Sequence, residues 1–314
     1  MDKKVAFIFP GQGSQTVGMG KDFYDKFEES KKVFEAANEA LNDNISQLCF
    51  EGPEEELKKT ENTQPAILTT SIAILRVFEK YGIKPEMVAG HSLGEYSALV
   101  AANAISFEDA VRTVRQRGKL MVDAVPYGEG TMSAVIKLDR EKIEEICQET
   151  EGVVEPANYN TKMQVVISGE VDAVRAAGEK MKEAGALKVV ELNVSGPFHS
   201  SLLKPASEGL DQFVSDIKFN DPEVPVVANY TADIEKTADE VKENLVKQVS
   251  GAVRWQDSIE KMVDEGIETF IEIGPGNVLK KMMRRINRKV TAININSVES
   301  MEKALKKLDI DMNE

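Results

Sequence analysis

The sequence predicts an α/β fold, a parallel sheet with helices on both faces, into which a smaller α+β unit is inserted. Three observations lead there. Short apolar runs recur along the chain without strict in/out alternation, which is the pattern of strands covered on both faces. Glycine-bearing turns and amphipathic stretches separate those runs, which is α/β layering. The middle of the chain follows a different order, β-α-β-β-α-β, the split βαβ or ferredoxin-like arrangement.

The elements follow in order. Val5–Phe9 is the first strand, closed by Pro10. Pro65 to Lys80 is periodic and reads as a helix that stops at Tyr81-Gly82, with Pro85 just beyond. Met87–His91 is a strand, followed by a helical run from Leu93 to about Ala102. Ser106 and Asp109 form a capping-box pattern that opens a helix running to about Val125. The turn-rich segment Pro126-Tyr127-Gly128-Glu129-Gly130 then breaks the rhythm. After it come a strand at 131–138, a helix at 140–149, strands at 154–159 and 164–168, a helix at 171–184 and a strand at 187–194. Val224–Ala228, Thr269–Ile273 and Thr291–Ile295 return to the first pattern. We expect a large domain built from 1–126 and 196–314, a small ferredoxin-like domain at 127–195, and a ligand cleft between them.

Composition narrows the function. The 314 residues are 42% hydrophobic and 29% charged, the balance of a globular chain rather than a disordered one. With 39 basic and 53 acidic residues the formal charge is −14, which argues against nucleic acid as a partner. Any anionic ligand must meet a local positive site. Cys49 and Cys147 are far apart and form no CxxC pair, so neither a disulfide framework nor a thiolate metal site is expected. The run Val5–Phe9 is too short for a signal-peptide core, and no stretch approaches the ~18 apolar residues of a membrane span. A cytoplasmic chain with no metal and no membrane partner is the expectation.

The strongest local signal is Gly90-His91-Ser92-Leu93-Gly94-Glu95, which matches G-x-S-x-G between a predicted strand and a predicted helix. In such an elbow the serine sits on a strained turn, and glycines make room where side chains would clash. Its hydroxyl then lies at a helix N-terminus, where the dipole and free N–H groups favour developing negative charge. The bland alternative is a serine N-cap at a tight turn. A serine nucleophile needs a base, and the chain has two histidines. His91 precedes Ser92 as the last strand residue and should point to the other side of the turn. That leaves His199, in Gly196-Pro197-Phe198-His199-Ser200, expected to titrate near or somewhat below neutrality. No acid stands out as the third member of a triad.

Other segments are less decisive. Phe9-Pro10-Gly11-Gln12-Gly13-Ser14-Gln15 fails G-x-G-x-x-G because Thr16 occupies the sixth position. It can still be a tight turn that brings backbone or Gln12 to a reacting oxygen. On the helix from Ser106, Arg115 and Arg117 fall at the two edges of the apolar stripe, and periodicity does not choose between them. The run from Lys280 to Lys289, rich in Lys and Arg, stands out in so acidic a chain. It is either a solvated helix end or a docking site for an acidic partner.

At this point the chain resembles the malonyl-CoA:acyl carrier protein transacylases, from residue 4 to about residue 305. The likeness is carried by FPGQGSQ at the start, NTQPA at 62–66, GHSLGEYSAL at 90–99 and RQRGKLM at 115–121. It continues with GPFHS at 196–200, KQVSGAVRW at 247–255 and EIGPGNVL at 272–279. The resemblance implies an α/β-hydrolase-like large domain with a ferredoxin-like insertion. It also implies malonyl transfer from malonyl-CoA to the phosphopantetheine thiol of an acidic acyl carrier protein in fatty-acid synthesis. Carried over by motif, Ser92 is the acylated nucleophile and His199 its base. The N–H groups of Gln12 and Leu93 form the oxyanion hole, and Arg117 holds the malonyl carboxylate. Gln248 gives the backbone carbonyl that orients His199, so the pair is a dyad. Asn160 lines the site, and Phe198 matches malonyl selectivity. No cofactor is implied beyond the coenzyme A thioester, and a monomer is expected. For carrier docking the charge contrast points to Lys280, Lys281, Arg284 and Arg285, with Lys188. The competing readings are a thioesterase or other serine hydrolase, a trans-acting polyketide acyltransferase, and a non-catalytic acyl-CoA- or carrier-binding module.

Overall fold

The computed structural model describes residues 4–310. Its strands are β1 (Val5–Phe9), β2 (Met87–Gly90), β3 (Gly130–Ile136), β4 (Val154–Thr161), β5 (Gln164–Glu170), β6 (Lys188–Glu191), β7 (Val226–Val227), β8 (Ile234–Glu235), β9 (Thr269–Ile273) and β10 (Thr291–Ile295). One sheet runs β10-β9-β1-β2-β7-β8, parallel throughout except for β8, which pairs antiparallel at the edge. The second sheet, β4-β5-β3-β6, is antiparallel.

The non-alternating apolar runs are explained by burial on both faces. Val5, Phe7 and Phe9 join Ile271, Ile273, Ile293 and Ile295 in a core under the helix Thr60–Phe78. Ala6 and Ile8 point the other way, into a core with Phe270, Trp255 and Leu279. In the second sheet Val135, Val165 and Ile167 face the helices Arg140–Gln148 and Val171–Glu183. The alternate residues Met132, Ala134 and Val166 face the opposite side, toward the large sheet.

Three expectations need correction at their edges. The helix expected from Pro65 begins at Thr60. Pro65 sits in its second turn, where the ring removes only one intrahelical N–H. The strand expected at 224–228 shrinks to β7, which ends in a two-residue pairing with β8 that alternation did not reveal. The strand expected at 187–194 is only Lys188–Glu191; Leu192 to Ser195 instead lines the cleft.

The insertion is fastened through β4. Tyr159 N–H donates to the Val253 carbonyl (2.9 Å), and Val253 N–H donates to that of Ala157 (2.8 Å). Arg140 stacks over Tyr159, 3.7 Å from the ring centroid, and pairs with Asp257 at 3.0 Å. These ties hold Asn158 and Asn160 of β4 over the C-terminal ends of β1 and β2. An open α/β sheet presents its ligands at that end.

Candidate active site

The cleft there has a volume of about 570 Å³, lined by residues of the second sheet and by the loops and helices around the C-terminal ends of β1 and β2. The elbow at its floor follows from close packing. A Cβ on Gly90 would lie 1.9 Å from the backbone of Gly94, and one on Gly94 would lie 2.1 Å from the Phe9 carbonyl oxygen. Only glycines allow β1, β2 and the helix Gly94–Ala101 to converge so tightly. Between them Ser92 takes φ +51°, the left-handed conformation of a strained turn. Asn229, just beyond β7, clamps that turn. Its Oδ1 accepts from Ser92 N–H (2.6 Å) and its Nδ2 donates to the Gly90 carbonyl (2.7 Å).

Ser92 Oγ lies 2.7 Å from His199 Nε2, and His199 Nδ1 lies 2.9 Å from the Gln248 carbonyl oxygen. The carbonyl can only accept, so Nδ1 carries the hydrogen and Nε2 is free to take the serine proton. His199 is buried, and its pKa is pushed down to about 3, first by desolvation and then by the charge of Arg117. This is well below the near-neutral titration expected from the sequence. His91 points away from Ser92: its Nε2 is 2.8 Å from Asn160 Oδ1, and its ring stands edge-on to Trp255.

Arg117, not Arg115, reaches the cleft. Arg117 is 1% exposed, with Nη2 at 3.2 Å from Ser92 Oγ and 2.8 Å from Gln248 Oε1, and Nη1 at 2.9 Å from Gln64 Oε1. Its Nε has no hydrogen-bond partner, and the guanidinium forms no ion pair among the described residues. Arg115 instead bonds Asn62 and Asp43. Gln12 and Leu93 line the cleft, and their backbone N–H groups donate to no described residue. Phe198 (6% exposed) and Asn160 (5%) form part of the wall.

The candidate docking residues are more scattered. The helix Val278–Ile286 turns Val278, Leu279 and Met282 to the cleft. Lys281, Arg284 and Arg285 line a separate cavity of about 750 Å³ with Arg288 and Lys307. Lys280 lines neither cavity; its N–H donates to the buried Glu272 (3.0 Å). Lys188 is exposed on β6 and lines neither cavity.

Sequence reasoning did not single out Gln64, Asn229 or Glu95. Asn229 had a readable signal, as a polar residue just past a strand end beside the nucleophile-bearing strand. Gln64 lay within the NTQPA motif, but its partner 53 residues away was not legible.

No ligand-binding cluster of His, Cys, Asp and Glu that could hold a metal occurs among the described residues. Likewise, no described helix is long and apolar enough to cross a membrane.

Comparison with known proteins matches residues 6–309 to the acyl transferase domain family. The chain is 47% identical over 308 residues to the malonyl CoA-acyl carrier protein transacylase of Bacillus subtilis, covering 97% of each chain. It superposes with a TM-score of 0.95 on the malonyl CoA-acyl carrier protein transacylase from Clostridium perfringens, at 46% identity, covering 98% of this chain and 97% of that one. It also resembles a malonyl-transacylase solved in complex with its type II PKS acyl-carrier protein, at a TM-score of 0.94 and 43% identity, covering 97% and 100%.

Proposed function

The chain belongs to the acyl transferase domain family, and from that premise we propose how its residues carry a malonyl group from malonyl-CoA to the phosphopantetheine thiol of an acyl carrier protein. The enzyme is an acyltransferase, and the transfer supplies extender units for fatty-acid synthesis. The observation that carries the site assignment is the meeting of Ser92, His199 and a buried Arg117 that forms no ion pair among the described residues, all within hydrogen-bond reach.

His199 Nε2 takes the Ser92 proton as Oγ attacks the thioester carbonyl. The N–H groups of Gln12 and Leu93 receive the oxyanion; losing one such donor costs ~3–4 kcal/mol. Arg117 binds the free carboxylate. A guanidinium left buried and unpaired, as an acetyl group would leave it, is worth about 3–5 kcal/mol, roughly a hundred- to several-thousand-fold in rate. The bound carboxylate also offsets the charge that holds the His199 pKa down, so the correct substrate raises the proton affinity of its own base. Coenzyme A leaves with the proton from His199. The carrier thiol, deprotonated by the same imidazole, then takes the malonyl group from Ser92 in a ping-pong cycle. Asn160 and Phe198 shape the acyl pocket.

Around this chemistry we place the small domain at 127–195 and carrier docking on Lys280, Lys281, Arg284 and Arg285, with Lys188. We take the enzyme as a cytoplasmic monomer that needs no cofactor and binds no nucleic acid. Brief exposure to malonyl-CoA followed by peptide mapping by mass spectrometry should find a malonyl adduct on the peptide spanning 90–94, absent from Ser92→Ala. An unmodified peptide, or label elsewhere, would refute the assignment; release of free malonate without carrier acylation would make the protein a hydrolase.

A further inference from the structure

Beneath the elbow lies a buried polar cluster that the chemistry above does not use. Glu95, in the first turn of the helix Gly94–Ala101, is fully buried. Its Oε2 accepts from the Asn229 N–H (2.8 Å) and from Gln248 Nε2 (3.0 Å), while its Oε1 has no hydrogen-bond partner among the described residues. Burial raises its pKa, against those hydrogen bonds and the charge of Arg117. A buried carboxyl costs stability on its own account, and what offsets that cost here is the pair of hydrogen bonds it accepts.

It holds Gln248. Every polar group of that side chain is engaged: Nε2 donates to Glu95 Oε2 and to the Ser92 carbonyl (3.0 Å), and Oε1 accepts from Arg117 Nη2 (2.8 Å). Chemistry allows only this orientation. The guanidinium offers donors alone, while the carboxylate and the carbonyl offer acceptors alone, so a reversed amide would set donor against donor. Besides Ser92 Oγ, Arg117 rests on two amide acceptors, Gln64 and Gln248, and Glu95 helps decide which way the second one points.

We propose that Glu95 is a positioning residue: by fixing the Gln248 side-chain amide it fixes Arg117 beside Ser92, and with it the preference for an acyl group that carries a carboxylate. The proposal rests on the assignment of Ser92 and Arg117 above. Without the Glu95 carboxyl, Nε2 keeps the Ser92 carbonyl as its one acceptor, and the far side of the amide loses its anchor. The guanidinium is then free to pivot about its bond to Gln64. A misplacement of about 1 Å costs roughly a hundredfold in a well-oriented reaction. An uncharged acyl group does not use Arg117, so it should lose far less. The Gln248 backbone carbonyl belongs to the helix Ala238–Ser250, so orientation of His199 does not depend on the side chain.

The test measures single-turnover acylation of the full-length enzyme by malonyl-CoA and by acetyl-CoA. Glu95→Ala and Gln248→Ala should each lower the malonyl-to-acetyl ratio by about 10- to 100-fold. Glu95→Gln should keep the ratio within about threefold, because one amide oxygen can accept both hydrogen bonds now made to Oε2. Equal losses on both substrates would mean a merely structural role and overturn the proposal, as would an unchanged ratio in either alanine variant. A ratio lost as fully in Glu95→Gln as in Glu95→Ala would also overturn it, since charge rather than orientation would then be the cause. Should Glu95→Ala not fold, Gln248→Ala decides. Arg117→Ala separates the two levels of the argument. If its ratio does not collapse, the reading of Arg117 fails and takes the proposal with it. If it collapses while the other variants keep theirs, only the proposal fails.

Discussion

Ser92 and His199 face each other at 2.7 Å, and both hold positive φ, +51° and +60°. Such backbone costs about 1–3 kcal/mol per residue and persists where surrounding bonds over-determine it. Asn229 does this for Ser92, while for His199 the Gln248 carbonyl fixes the ring. Burial and Arg117 keep His199 neutral far below its ordinary 6.5, so the base is ready over the whole neutral range. Since kcat/KM reports the free enzyme, acylation by malonyl-CoA should show no histidine limb between about pH 5 and pH 8. Removing the cationic neighbour lets the pKa rise, so Arg117→Ala acylated by acetyl-CoA should show its acid limb at higher pH than wild type. Pre-steady-state rates across pH check both. A wild-type limb near neutrality would mean that the imidazole is more hydrated than its burial implies.

At the scale of elements, the sequence spoke most clearly where order is local. The elbow could be read because Gly90, Ser92 and Gly94 lie within five residues, and the N-cap at Ser106 because its bond to the Asp109 N–H spans three; Asp109 accepts from the Ser106 hydroxyl rather than closing a full capping box. Arg117 could not be separated from Arg115 by periodicity. Both lie at the edges of one stripe, and only Gln64, on another helix, reveals which edge meets the cleft. The Glu95–Gln248–Asn229 cluster was hidden for the same reason: its bonds join residues more than 130 positions apart. The edge pair β7–β8 is too short for any period to show.

The helix Val278–Ile286 makes the same point about function, because its apolar residues meet the core and cleft while Lys281, Arg284 and Arg285 line the outer cavity. Reversing charge at Arg284, an exposed residue outside the acyl pocket, should raise the KM for carrier by about tenfold. It should leave acylation by malonyl-CoA unchanged. The effect should shrink at high salt, as screening of exposed charges requires. Carrier kinetics indifferent to Arg284→Glu would remove this helix from the docking surface.

The whole molecule carries an electrostatic load in its interior that sets how stability follows pH. Glu95, Glu235 and Glu272 are all buried, and each pKa is raised chiefly by desolvation. Glu272 reaches about 7 even though it accepts from the N–H groups of Leu279 and Lys280. Glu235, on β8, is raised further by the nearby charge of Glu95, and its Oε2 has no hydrogen-bond partner among the described residues. An acid whose folded pKa lies above its unfolded value of 4.5 costs nothing below 4.5, where both states are protonated. As pH rises, the unfolded chain ionises first and stability is lost until the folded group ionises too. His91 and His199, lowered by burial, act in the opposite sense and only below 6.5. Above that value both are neutral in either state, so the slope is set by the carboxyls, joined near pH 9 by the buried thiols of Cys49 and Cys147, which desolvation pushes up to about 12. Stability should therefore decline from pH 6.5 to about pH 9, and Glu235→Gln should make that decline shallower, by on the order of 1–2 kcal/mol at the alkaline end. Denaturant midpoints of the two proteins, measured across that window, decide it. Parallel curves would show that water or local opening solvates Glu235 and that the alkaline loss arises elsewhere. Because the Glu95 charge is one of the causes of the Glu235 shift, Glu95→Gln should also ease ionisation of Glu235, so the double variant should flatten the slope by less than the sum of the two single effects.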